Sequence, residues 1–231
     1  MEPNAMKSVY SPLILATLLS LPLCAQALDV TANTDSTVSD APNQMAANQR
    51  TAPGLHWVLN AGLTYGGDTI GKISFTNGST SNIKAGSLMQ FGIGGLYQFD
   101  DTPLALMFSA NYHFDSVTAK NGTASFDRFP IEVLAYYTGK EKFRFGGGVR
   151  IINGAELASD IGGNDKYTFD ATKGLVAEIG YQLDPRGWLN FRFVSDKYQA
   201  KTEVWNGVTY SLAGSAPTNG SHMGVNFTYE F

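Results

Sequence analysis

Apolar and polar side chains alternate strictly along the carboxyl-terminal stretch HMGVNFTYEF, and no other feature of the chain restricts its fold so tightly. Val225, Phe227, Tyr229 and Phe231 fall on one face of an extended strand, with Gly224, Asn226, Thr228 and Glu230 on the other. The same period of two recurs in seven earlier segments. These run from about Leu55 to Tyr65, Ser87 to Phe99, Leu104 to Asp115, Arg128 to Tyr137, Phe143 to Ile151, Leu175 to Leu183 and Leu189 to Phe193. Eight strands, each greasy on one side, need a structure in which all those sides face one environment.

Charge placement indicates what that environment is. The apolar faces of all eight segments carry no Asp, Glu, Lys or Arg. A soluble sheet would place some charge there, whereas Arg or Lys facing lipid at mid-depth costs about 2–4 kcal/mol. The opposite faces carry both signs: Arg128, Arg144, Arg150 and Arg192 with Glu132, Glu178 and Glu230. In an eight-stranded barrel the interior is only wide enough for its own side chains. The sequence therefore predicts an all-β, eight-stranded antiparallel up-and-down transmembrane barrel over residues 54–231, its lumen filled by a paired polar network of these seven residues.

Connection lengths alternate as well. Short turns are expected at Asp100 to Pro103, Thr138 to Lys142 and Asp184 to Gly187. Long polar loops are expected at Gly66 to Gly86, Ser116 to Ser125, Asn153 to Thr168 and Tyr198 to Gly220. Short periplasmic turns and long external loops are the barrel pattern, which puts both chain ends on the periplasmic side. Lys72 to Lys84 reads as a hairpin turning at Asn77-Gly78, extending the wall.

The amino-terminal part supplies the compartment. MKSVYSP from Met6, the apolar run Leu13 to Leu23 and the A-x-A site Ala25-Gln26-Ala27 form a secretory signal peptide over residues 1–27, with Met6 as an alternative start. The apolar run is too short to span about 30 Å as a helix. Cys24, the only cysteine, lies within this segment; Leu23 before it is too bulky for a lipoprotein site. Residues 28–53 are polar and nearly free of large apolar side chains, and are expected to form a disordered periplasmic leader, with a plug inside the barrel as the alternative. A net charge of −4 gives no case for nucleic acid as a partner.

His222, Gly224, Phe227 and Tyr229, with Phe231 as the terminal aromatic, resemble the assembly signal of Gram-negative outer-membrane proteins. The chain from about Leu55 resembles the small eight-stranded outer-membrane barrels related to OmpA, OmpX and OmpW. The resemblance implies location in the outer membrane, contact with its lipid and lipopolysaccharide, and folding by the outer-membrane assembly machinery. It implies little about activity.

No segment assembles a convincing catalytic set, and no motif asks for a cofactor. His56, His113 and His222 all face inward by parity, and His113 with Asp115 two residues on is a conceivable acid–base pair. Neither Ser221-His222 nor His56-Trp57-Val58 matches the His and Ser, two apart, of outer-membrane lipid A deacylases. The glycines around Gly92 and Gly146 have no following helix with which to bind phosphate, and read instead as room for inward Arg and Tyr side chains. Asp160, Asn164, Asp165 and Asp170 gather oxygens without EF-hand spacing and read as solvated loop charge rather than a metal site. The expectation is a non-enzymatic barrel acting structurally or through its external loops. Passage or binding of small or apolar solutes is the alternative, and the oligomeric state stays open.

Overall fold

The computed structural model describes residues 51–231. The expected signal peptide and all but the last three residues of the expected leader lie outside the described residues. Of those three, Thr51 donates its hydroxyl to Glu230 at 2.6 Å.

In chain order the strands are β1 (Gly54–Gly66), β2 (Thr69–Ser74), β3 (Thr80–Lys84), β4 (Leu88–Gln98), β5 (Leu104–Ala119), β6 (Gly122–Lys140) and β7 (Phe143–Ser159). They continue as β8 (Asp165–Phe169), β9 (Thr172–Gln182), β10 (Gly187–Ser195), β11 (Lys197–Tyr198), β12 (Ala200–Trp205), β13 (Val208–Ser211), β14 (Thr218–Asn219) and β15 (His222–Glu230). Eight of them, β1, β4, β5, β6, β7, β9, β10 and β15, pair antiparallel in that order, and β15 pairs back onto β1. The sheet is a closed barrel without an edge, with every stave where the alternating segments place one.

Register fixes its shape. Paired positions lead from Leu55 through Tyr97, Leu106, Ala135, Gly147, Ala177, Phe193 and Met223, returning to β1 at Tyr65, ten residues further along. Eight strands about 4.8 Å apart with a stagger of ten residues, each about 3.4 Å, tilt roughly 40° from the axis. Six outward positions on one strand, such as Leu55 to Tyr65 on β1, then rise about 25 Å, the height of the apolar band of an outer-membrane barrel. Those positions are open: Leu55 is 66% exposed, Ile93 58% and Phe108 54%. Arg128, Arg150 and Asn190, facing the other way, are 0% exposed. This inverts the soluble arrangement, in which charge faces out and apolar bulk faces in.

The external connections differ from expectation. Residues 116–125 form no loop: β5 and β6 stay paired up to Ala119 and Gly122, with a tight turn at Lys120-Asn121. β7 likewise rises to Ser159 and pairs with β8, which pairs with β12 and then β13. Most of the supposed loops are therefore a sheet standing above the barrel. The polar composition of these segments hid it, because Thr, Ser and Asn fit a strand solvated on one face and only the other face must be apolar. That inner face carries a buried cluster containing Ala124, Phe126, Ile152, Ala155 and Tyr198. Charge reappears on the outer face of these extensions, at Asp127 and Lys173, beyond the charge-free segments.

The first long connection does form a hairpin, β2 with β3, turning at Asn77-Gly78, where Gly78 has φ 84°. It folds across the mouth instead of prolonging the wall: Ile73, Ile83 and Ala85 are buried against the cluster around Phe126 and Tyr198. Ile73, Ile83 and Ala85 thus bury surface that an upright hairpin would leave wet. The chain leaves the cap through Leu88 at φ 81°, a strained backbone for a leucine, held where it swings from cap to wall.

Candidate functional site

The lumen holds most of the residues a function could draw on. All seven expected network residues are buried, none more than 3% exposed, and they separate into three levels. Near the periplasmic end, Arg144 pairs with Glu230 at 2.8 Å and donates Nε to Asn190 at 3.1 Å. Its guanidinium lies 4.5 Å from the rings of Tyr136 and Trp188, so charge and π-faces together replace its hydration. At mid-height Glu132 accepts a short hydrogen bond from Arg192 and faces Arg150 Nε at 3.7 Å. Arg192 also reaches Glu178 at 3.3 Å, whose other oxygen accepts the Tyr136 hydroxyl at 2.6 Å.

Arg128 stands apart from the ion pairs. It donates to the carbonyls of Ala85 and, at 3.1 Å, Ser87, and stacks 4.6 Å over Phe126. It holds down the cap rather than balancing a carboxylate. Asp115 assists by accepting the Lys84 N–H at 2.9 Å. Sequence reasoning missed Asp196, which is buried 3.6 Å from Arg150 Nε. Its signal was present: it continues the inward parity of Arg192 and Val194 past the point where the apolar face of that segment stops.

The interior is also less polar than expected. Val58, Leu96, Met107, Leu134, Val176 and Val194 form a buried apolar cluster with Ala105 and Tyr136. Charged and apolar side chains together fill the bore, which suits a stagger that leaves no open channel.

His113 and His222 meet edge to face beneath the cap, ring centroids 5.2 Å apart. His113 Nε2 contacts the Thr64 hydroxyl at 2.9 Å, while His222 Nδ1 contacts the Gly220 carbonyl at 2.8 Å. Asp115 engages the cap backbone, so the conceivable His113–Asp115 pair is not joined by a hydrogen bond. His56 lies low on β1 with Nε2 at 2.6 Å from the Ala52 carbonyl, remote in sequence and in the sheet from both. The structure therefore brings two of the three histidines together, with the Thr64 hydroxyl as the side-chain oxygen beside His113.

Of the terminal residues, Phe227 and Phe231 point outward, His222 points inward, and the Phe231 N–H donates to Trp57 at 2.8 Å. Gly224 lies against the β1 backbone, where a Cβ would meet the Leu63 carbonyl at 2.5 Å. Gly146 faces the Tyr136 ring so closely that a methyl group would strike it. Gly146→Ala is expected to destabilise the barrel by about 1–3 kcal/mol, because the ring cannot yield without disturbing its bond to Glu178. Urea unfolding in lipid vesicles measures it.

Outside, three features stand out. Around Asn206-Gly207 the β12–β13 hairpin exposes Trp205, Val208 and Tyr210, and β13 forms the free edge of the raised sheet. Its base is tied by Tyr167, which donates to Glu203; that bond, with burial second, pushes the phenol up to about 12. Asp160, Asn164 and Asp165 line a shallow cleft of about 440 Å³, with Asp170 outside its lining. On the barrel wall, an apolar groove of about 900 Å³ runs over Ala61 and Ala110, between Phe91, Tyr112, Phe129 and Phe227. Its floor includes Pro130, which has no N–H; the β5–β6 pairing stops at Ala110–Ile131 and resumes at His113–Arg128.

Comparison with sequence models of protein families finds no match, nor does comparison with curated proteins. Among solved structures the chain is similar to Neisserial surface protein A, at 12% identity and TM-score 0.47, covering 77% of this chain and 97% of that one. It is also similar to the outer membrane protein OprG from Pseudomonas aeruginosa, at 15% identity and TM-score 0.42, covering 79% and 98%. A third likeness is to the outer membrane protein AlkL in DMPC bilayers, at 14% identity and TM-score 0.40, covering 87% and 97%. The closed eight-stranded barrel itself stands on the pairing register of this chain.

Proposed function

We propose that this protein is a non-enzymatic barrel of the bacterial outer membrane that acts through its external sheet, as a structural or surface-contact component. The observation that carries the reading is the blocked bore beneath an elaborated outer face. Ion pairs and apolar side chains fill the lumen, the β2–β3 hairpin covers it, and the exposed Trp205, Val208 and Tyr210 project at the far tip. A belt of exposed apolar side chains matching a bilayer in height supports the location. The spaced aromatics ending at Phe231 support β15 as the strand that the outer-membrane assembly machinery engages. Single-channel recording of the full chain in planar bilayers is expected to show no steady opening; sustained nanosiemens conductance would overturn the reading.

One observation favours a second role, movement of small apolar solutes from the bore's upper end into the bilayer. Pro130 interrupts the β5–β6 ladder under the apolar groove, leaving Asn111 and Tyr112 outside the pairing there. Uptake of an apolar fluorescent solute into proteoliposomes, lowered by Pro130→Val, would support that role. Equal uptake by empty vesicles would remove it.

A further inference from the structure

The outer rim sets two like charges opposite each other with no partner between them among the described residues. Lys173 continues the outward line of Leu175, Ala177 and Ile179 on β9, and Lys197 continues that of Phe191, Phe193 and Ser195 beyond β10. Ser195 pairs with Leu175, Gly174 packs against Asp196, and the Thr172 hydroxyl donates to the Lys197 carbonyl at 3.1 Å. That register sets the two lysines opposite each other. Like charges so placed destabilise a sheet. Some other outer charges are answered within the protein: Lys84 by the Tyr65 hydroxyl at 3.0 Å, Asp127 by Ser125 at 2.8 Å, and Lys166 by Glu156 at 2.7 Å. Among the described residues neither Lys173 nor Lys197 has a side-chain hydrogen bond or ion pair. The carboxylate that pairing brings nearest, Asp170, whose N–H donates to the Gln199 carbonyl at 2.9 Å, forms no ion pair with either lysine, and Asp68 beyond Asn219 is taken by the Asn219 N–H at 2.9 Å. Directly below the two ammonium groups, Ile151, Leu175 and Phe193 are 41%, 65% and 53% exposed.

We propose that Lys173 and Lys197 bind the phosphate group of a phosphorylated lipid in the outer leaflet, whose acyl chains lie along Ile151, Leu175 and Phe193; this rests on the outer-membrane reading above. A phosphate between the two ammonium groups turns a repulsive pair into two attractive ones. The apolar column beneath selects a lipid over a free anion, because only a lipid covers that surface at the same time. The site lies at the top of the apolar band, where headgroups meet the hydrocarbon region.

The test is native mass spectrometry of the full folded protein in dodecylmaltoside, offered bisphosphorylated lipid A or its dephosphorylated analogue. Wild type is expected to retain the phosphorylated lipid about tenfold better. Lys173→Gln with Lys197→Gln is expected to abolish that preference, and Lys173→Arg with Lys197→Arg to keep it. Equal retention of both lipids by wild type, persistence of the preference in the glutamine variant, its loss in the arginine variant, or displacement of the lipid by millimolar inorganic phosphate would each overturn the site. Boiled and unboiled gel mobility is read alongside; a wild type without a heat-modifiable band defeats the barrel reading itself rather than this site.

Discussion

Replacing Glu132 with alanine is expected to lower the unfolding free energy of the barrel by about 3 kcal/mol, the cost of leaving two buried guanidinium groups short of a hydrogen-bond acceptor. Glu132 is the hinge of the mid-height layer, facing Arg192 and Arg150 at once. Each arginine keeps a second carboxylate, Glu178 at 3.3 Å and Asp196 at 3.6 Å, so the layer of two arginines and three carboxylates loses acceptors and its shortest hydrogen bond rather than its charge balance, and a filled bore gives the guanidinium groups no room to turn to new acceptors. Urea titration in lipid vesicles, followed by fluorescence, measures the loss. The partner substitution sharpens the assignment. Glu132→Ala with Arg192→Ala is expected to cost less than the sum of the two single changes, since the first removes much of what the second would break. Strict additivity would mean that the Glu132–Arg192 contact adds no net pairwise energy to the fold.

The eight staves were legible in the sequence because a wall wet on one side and greasy on the other writes its period into every strand. Even Glu132 facing Arg150 across β6 and β7 follows from parity once the strands are paired. What the sequence concealed has a common cause: it depends on where strands stop and what they cover. Val117, Ala124 and Phe126 carry the same alternation upward, yet lie among Ser, Thr and Asn, so the raised sheet reads as loop. Leu96, Leu134 and Met107 are single apolar residues on faces otherwise polar, and their meeting in one lumen cluster depends on the stagger. The destination of the β2–β3 hairpin depended on Arg128, whose partners are backbone carbonyls, groups that carry no mark in a sequence. The candidate site was thus visible as a set of charges, whereas its division into an ionic layer and a cap latch was not.

Ile179→Lys separates the membrane-spanning reading from any water-exposed one. Ile179 is 45% exposed on the outer face of β9, paired with Phe145 on one side and Phe191 on the other, near the middle of the apolar band. In water, a lysine at an exposed strand position away from caps and networks changes stability by no more than about 0.5 kcal/mol. Against acyl chains it is expected to cost about 2–4 kcal/mol, because the ammonium must be carried to the band edge or drag water in with it. The same change at Leu175, four residues higher on β9 and two residues below Lys173, is expected to cost less, since the penalty falls toward the interface. Unfolding free energies of both variants in lipid vesicles give the depth dependence directly. A cost at Ile179 that disappears, or that equals the cost at Leu175, would mean that the apolar wall faces something other than a bilayer. The lipid-phosphate site at Lys173 and Lys197 would then lose its hydrocarbon floor as well, whereas the closed register and the Glu132 layer would stand unchanged.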